Sequence, residues 1–175
     1  METTRALLMR LTRFGDTSLI VTWFSADFGK LKTMAKGARG AKSAMQGRLD
    51  LFFDVEIGFV RSRKSDLHSL REVAVRDGRS LLRTAYENVQ AASYFVQLLE
   101  LVTETDAPAA ELFDLLERAL RHLDKEPASR KAVAHFEKEL AHLIGVGSRD
   151  NAALAIRQAY GRLPALRETV WSGLS

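Results

Sequence analysis

The apolar residues change their period near Asp77-Gly78, and that switch constrains the fold more than any other feature of the chain. Before it, apolar and polar residues alternate in short runs punctuated by glycine or Asp/Ser, the pattern of strands. After it, apolar residues recur every three or four positions, the spacing of one helix face. Five strand-like runs fall at 6–13, 17–25, 29–38, 51–59 and 67–75. The first two join across Phe14-Gly15-Asp16, and Ala26-Asp27-Phe28-Gly29 makes the next turn. The fourth is the most regular, with Leu51, Phe53, Val55, Ile57 and Phe59 on one face and Asp54, Glu56 and Gly58 on the other. In the fifth, Leu70-Arg71 breaks the alternation, which predicts a bulge or an edge position. Five short strands are best closed into a small barrel, since closure removes sheet edges. An OB-fold suits this pattern best; an SH3-like barrel or a sandwich also satisfies it.

The second half predicts helices. One stripe runs through Leu82, Ala85, Tyr86, Val89, Ala92, Phe95, Leu99 and Val102. A second helix is expected from Asp106 as N-cap with Pro108 in its first turn, and a third after Glu126-Pro127, ending at Gly145. Asp150 would cap a fourth, stopped by Gly161, and Pro164 opens a short fifth. The expected class is therefore α+β: a five-stranded OB-fold barrel over 1–79, then an all-helical domain over 80–175. No apolar run approaches the roughly 20 residues of a membrane span, and Met1-Glu2-Thr3 opens no signal peptide. The chain has no cysteine, so disulfides, Cys-ligated zinc and thiol catalysis are excluded. A cytoplasmic protein is expected.

Charge separates the halves. Residues 1–79 hold 15 Lys+Arg against 9 Asp+Glu, and the remainder 11 against 13. That asymmetry points to a polyanionic partner for the first half. From Phe28 to Leu49 there is no carboxylate but six bases: Lys30, Lys32, Lys36, Arg39, Lys42 and Arg48. With a strand period of two, Leu31, Thr33 and Ala35 share one face while Lys30, Lys32, Met34 and Lys36 share the other. Gly37 and Gly40 let the chain turn and bring backbone N–H groups towards an anion. Arg39 adds a planar fork, Lys42 a point charge and Ser43 a hydroxyl donor. Six phosphate contacts on a duplex would give a log–log salt slope near about −5. Phe14 and Phe28 lie at turns and are the base-stacking candidates, whereas Trp23 shares the parity of Leu19 and Val21 and belongs to the core.

Other chemistries fail on spacing. Gly40-Ala41-Lys42-Ser43 is not a P-loop, which would need glycine at Lys36 and Ala41. His68, His122, His135 and His142 form no metal-binding motif and are expected at the surface or an interface. No nucleophile elbow or dinucleotide fingerprint occurs, and Asp54 and Glu56 are expected on the outer strand face without a catalytic role. The chain is expected not to be an enzyme, with no cofactor and no metal.

Arg13-Phe14-Gly15-Asp16 with Leu19-Ile20-Val21-Thr22, Phe28-Gly29-Lys30, Ala35-Lys36-Gly37-Ala38-Arg39 with Lys42-Ser43, and Gly47-Arg48-Leu49 together resemble the N-terminal region of the RecO family of recombination mediators. The similarity extends to Tyr86-Glu87-Asn88, Phe136-Glu137 and Leu143-Ile144-Gly145. This resemblance implies a DNA repair protein of the bacterial cytoplasm and nucleoid. Such a protein would bind single- and double-stranded DNA, anneal complementary strands, and recognise the acidic C-terminal tail of single-strand DNA-binding protein. It would also work with RecR to load RecA. The six bases would be its DNA-binding residues. The sequence departs from many members in being short and in lacking a cysteine-rich zinc segment after the third helix. A tail pocket with an apolar floor and a basic rim is implied in the helical half, with Arg118, Arg121, Arg130 and Lys131 as rim candidates. Two other classes fit the residues: an adaptor with a vestigial barrel, and an RNA-binding OB-fold protein.

Overall fold

In the computed structural model, which describes residues 1–147 and 150–175, the alternating half forms five strands. They are β1 (Glu2–Phe14), β2 (Ser18–Ser25), β3 (Gly29–Ala35), β4 (Asp54–Val60) and β5 (Leu67–Asp77). The sheet closes in the order β1-β2-β3-β5-β4, with β3 and β5 parallel and the other pairs antiparallel. This is the OB-fold arrangement, and closure into a single barrel sets aside the sandwich that the strand pattern also allowed. Parity fills the interior: Ala6, Leu8, Val21, Trp23, Leu31, Ala35, Val55, Ile57, Phe59 and Val73 form its core. Trp23 is fully buried, and its indole N–H donates to Thr33 Oγ1 at 2.8 Å, so no polar atom of the ring is orphaned.

The broken alternation in β5 is a bulge. Gly58 pairs Glu72 while Phe59 pairs Leu70, leaving Arg71 as the extra residue; Asp54 pairs Asp77 while Val55 pairs Val75, leaving Arg76. Two strands are shorter than the sequence suggests. β3 ends at Ala35, because Ala38 N–H turns back to Ala35 O. β4 starts at Asp54, because buried Phe52 takes the left-handed conformation (φ 68°). Asp54 is 5% exposed rather than outward in water, and it accepts Arg5 Nε and Nη2 at 2.9 and 2.7 Å. His68, expected at the surface or an interface, is buried inside the barrel unit and stacked on Phe59.

The helical half forms α1 (Ser80–Thr84), α2 (Tyr86–Val102), α3 (Ala110–Leu123), α4 (Arg130–Leu143), α5 (Ala152–Tyr160) and α6 (Leu166–Gly173). The first stripe is broken at Ala85, whose extended backbone separates α1 from α2. Ser129 caps α4, and Asn151 rather than Asp150 caps α5, accepting from Leu154 N at 3.1 Å. Two compact units result: Met1–Gly78 with Glu104–Phe113, and Arg79–Thr103 with Asp114–Ser175. Glu104–Phe113 therefore belongs with the barrel. Asp106 does not cap α3; it sits at φ 56° and donates its N–H to Lys30 O at 2.8 Å, extending the sheet beside β3. Ala107 lies directly over Gly29, where a Cβ would come within 1.9 Å of its carbonyl oxygen. Phe113 stacks on Phe24 with ring centroids 6.4 Å apart. In the helical unit, Phe95 and Phe136 stack at 4.0 Å, and Tyr94, Leu98, Leu116, Leu120, Leu140, Ile156 and Val170 are buried. Among the described residues, no helix is long and apolar enough to cross a membrane.

Candidate nucleic-acid interface

The outer face of β1, β2 and β3 is read in rows across the strands. Arg10 pairs with Thr22, and Thr22 with Lys32, so both cations flank one threonine on the same face. Two residues further along, Thr12, Ile20 and Met34 form the next row. Phe14 pairs with Ser18, and Ser18 Oγ accepts from Gly37 N at 3.4 Å, which brings Lys36 into the third row. Lys32 and Lys36 are exposed, as is Phe14 at 52%. Cations and an aromatic ring thus border a half-buried apolar strip of Ile20 and Met34.

The glycine-rich connection from β3 to β4 is a chain of tight turns. Gly40 N donates to Gly37 O, Ser43 N to Gly40 O, Gln46 N to Ser43 O and Arg48 N to Met45 O. Ala38, Met45, Leu49 and Leu51 pack against the barrel core, so the loop plugs one end of the barrel. The amides of Gly37 and Gly40 are thus already engaged, by Ser18 Oγ and Gly37 O, and are not part of the open anion cradle that the glycines suggest. Glycine is still the favoured residue at position 37, because φ is 66° there. Arg39 is stitched to the β1–β2 turn: its N–H donates to Thr17 O at 2.9 Å and its Nη1 to Asp16 O at 3.0 Å. The guanidinium is fixed at one nitrogen on an otherwise exposed residue. Lys42 is exposed on the same loop.

Three other barrel cations have carboxylate partners: Arg5 and Arg76 share Asp54, and Arg61 meets Glu2 and Asp106. Lys32, Lys36, Arg39 and Lys42 make no ion pair among the described residues. Charge without a counter-ion here is a standing attraction for an anion.

The helical unit contains a separate cavity of about 450 Å³ between α3 and α4. Phe95, Leu115, Ala119 and Phe136 line it with apolar surface, while Arg118, His122, Lys131 and His135 add basic groups. Arg121 bonds Glu117 at 2.6 Å and Arg130 bonds Trp171 O at 2.9 Å, and neither lines the cavity.

Two family models match the chain: Recombination protein O N terminal over residues 1–79, and Recombination protein O C terminal over residues 83–149. The chain belongs to the recombination protein O family. Among curated RecO relatives, the DNA repair protein RecO of Rhodopirellula baltica is 31% identical over 140 residues, covering 80% of this chain and 52% of that protein. The Salinibacter ruber protein of the same name is 30% identical over 144 residues (82% and 55%), and that of Anaeromyxobacter dehalogenans 28% over 158 (90% and 62%). The chain spans about half the length of the curated RecO relatives it matches.

In this RecO-family chain the residues singled out by sequence do not all meet. Lys32 and Lys36 share a face with Phe14, Arg39 is bonded to the β1–β2 turn that follows Phe14, and Lys42 is exposed on the same loop as Arg39. Lys30 is half-buried beside the Thr105–Asp106 segment. Arg48 turns to the β1–β4–β5 wall, where Nη1 bonds Val73 O at 3.2 Å beside Thr3, Glu56, Arg71 and Glu72. Phe28 is edge-on to Phe59 at 5.6 Å and lies under the Arg61 guanidinium at 5.0 Å, so its ring already has partners. Sequence reasoning missed Arg10. Its strand carries a register shift between Leu8 and Arg10, and only lateral pairing reveals Lys32 as a neighbour.

Proposed function

We propose that this chain is a non-catalytic DNA-binding module of recombinational repair, gripping a strand on the outer face of β1–β3 and promoting annealing. The observation that carries this reading is the convergence of Arg10, Lys32 and Lys36 with exposed Phe14 on one wall of an OB barrel, the lysines lacking carboxylate partners. Backbone phosphates would meet the cations, and Phe14 would stack on a base. Annealing then needs no covalent step: cations that neutralise phosphates lower the repulsion between complementary strands. The names of the relatives, DNA repair protein RecO, agree with this role.

The α3–α4 cavity is the proposed seat of the acidic C-terminal tail of single-strand DNA-binding protein. Its phenylalanine-lined floor would take an apolar side chain, and Arg118 and Lys131 the carboxylates. Cooperation with RecR and loading of RecA complete the proposed role.

The test is anisotropy of a labelled single-stranded oligonucleotide across a salt series. Contacts from Lys32, Lys36, Arg39 and Lys42 predict a slope near about −2.8, or roughly 50-fold weaker binding at 200 than at 50 mM salt. Lys32→Glu with Arg39→Glu should remove at least about 1.4 of that slope. A slope unchanged by this double reversal, in a folded variant, rejects the barrel face. Matched RNA binding with equal affinity would make the module a general single-strand binder.

A further inference from the structure

The helical unit holds a second basic hollow, about 350 Å³, where α5 turns into α6. α5 ends at Gly161, which takes φ 77° and reverses the chain; Arg162, Leu163, Pro164 and Ala165 then lead into α6. Arg157, Arg162 and Arg167 line the hollow, and Glu168 is the sole carboxylate among the described lining residues. The three guanidiniums are not equivalent. Arg167 is held in place, donating Nε and Nη2 to the two oxygens of buried Glu137 at 2.6 and 3.2 Å and lying 4.8 Å from the Trp171 ring centroid. Arg157 and Arg162 are exposed and make no ion pair among the described residues. The first turn of α6 also lacks a side-chain cap, which leaves partial positive charge at the same place.

We infer that this hollow is a phosphate-binding site, and that its occupant is a phosphodiester of a nucleic-acid strand. Two free planar forks match the oxygens of a tetrahedral phosphate and can bond it from two sides. The lining offers Leu163, Pro164 and Ala165 but no aromatic floor, which distinguishes it from the α3–α4 cavity and disfavours an acidic-apolar peptide. A phosphate grip in each unit would let one chain hold two strands, which annealing requires; this strand-holding step rests on the function proposed above.

The full chain is titrated with inorganic phosphate at constant ionic strength, reading tryptophan emission. Trp171 borders Arg167, whereas Trp23 is sealed in the barrel. Oligothymidylate binding is then followed across a salt series. The variants are Arg157→Glu with Arg162→Glu, and the milder Arg157→Gln with Arg162→Gln, each checked for fold by circular dichroism. Saturable phosphate-dependent emission is expected in the parent chain and lost in both pairs. The oligonucleotide salt slope should shrink by about 0.7 per phosphate, or about sevenfold less salt-induced loss between 50 and 200 mM for two contacts. A phosphate response with an unchanged slope assigns the site to free phosphate and overturns strand binding. Loss of neither response in the variants overturns the site. If Lys32→Glu with Arg39→Glu lowers the slope and the Arg157/Arg162 pairs do not, this inference alone fails; the reverse pattern fails the barrel reading alone.

Discussion

Replacing Glu137 by alanine should unfold the helical unit more readily than any comparable surface change. The carboxylate is 3% exposed and accepts three bonds: Tyr94 OH at 2.7 Å, Arg167 Nε at 2.6 Å and Arg167 Nη2 at 3.2 Å. Tyr94 belongs to α2, Glu137 to α4 and Arg167 to α6, so one side chain ties three helices. Truncation leaves a half-buried guanidinium, 24% exposed, and a buried phenol without their acceptor. Breaking one partner of a fully buried pair costs about 3–5 kcal/mol, and the partial exposure of Arg167 puts this one near the lower end, about 3 kcal/mol. At about 2–4 °C per kcal/mol for a chain of this size, the melting temperature should fall by about 10 °C. Glu137→Gln keeps the volume and one acceptor oxygen, so its loss should be smaller. Urea unfolding followed at 222 nm measures both. Arg167→Met removes the other charge, and the double variant should recover at least about 1.5 kcal/mol relative to the sum of the single changes. A Glu137→Ala loss below about 1 kcal/mol, or a coupling indistinguishable from zero, would refute the view that this network holds α6 in place.

Burial and the adjacent Glu137 push the Tyr94 hydroxyl well above the usual tyrosine value of 10.0. The folded chain keeps this proton where the unfolded chain releases it, so stability is full below pH 10 and falls as pH rises above it. Melting scans from pH 9 to 12 should show a shallower alkaline decline for Tyr94→Phe than for the parent. Gly29→Ala should cost at least about 2 kcal/mol in chemical denaturation, because φ is 70° and the new methyl would strike the Ala107 carbonyl. Phe14→Ala should leave the melting temperature unchanged, since the ring is 52% exposed, yet weaken single-strand binding about tenfold in anisotropy titrations.

The lysine row on β3 could be read from sequence because strand parity is local. Once Leu31, Thr33 and Ala35 face the core, Lys32 must face out, whatever its neighbours. Trp23 followed the same rule. The fate of the loop was not local. Gly37 and Gly40 suggested open amides, but the Gly37 amide reaches Ser18 Oγ and the Gly40 amide closes a turn on Gly37 O, in a loop whose Met45 and Leu49 pack on the barrel core. Phe28 and Lys30 looked available as turn and strand residues, and Arg61 and the Thr105–Asp106 segment, distant in sequence, occupy them.

The sequence by itself determined the period switch that separates barrel from helices, the outward lysines of β3, and the excess of cations over carboxylates in the first half. Tertiary structure decided which cations act together. It set Arg10 beside Lys32 across Thr22, diverted Arg48 to Val73, buried Asp54 under Arg5, and held Arg167 on Glu137. The reason is physical: the direction of a side chain depends on its own backbone, whereas its neighbours depend on contacts between segments far apart in the chain.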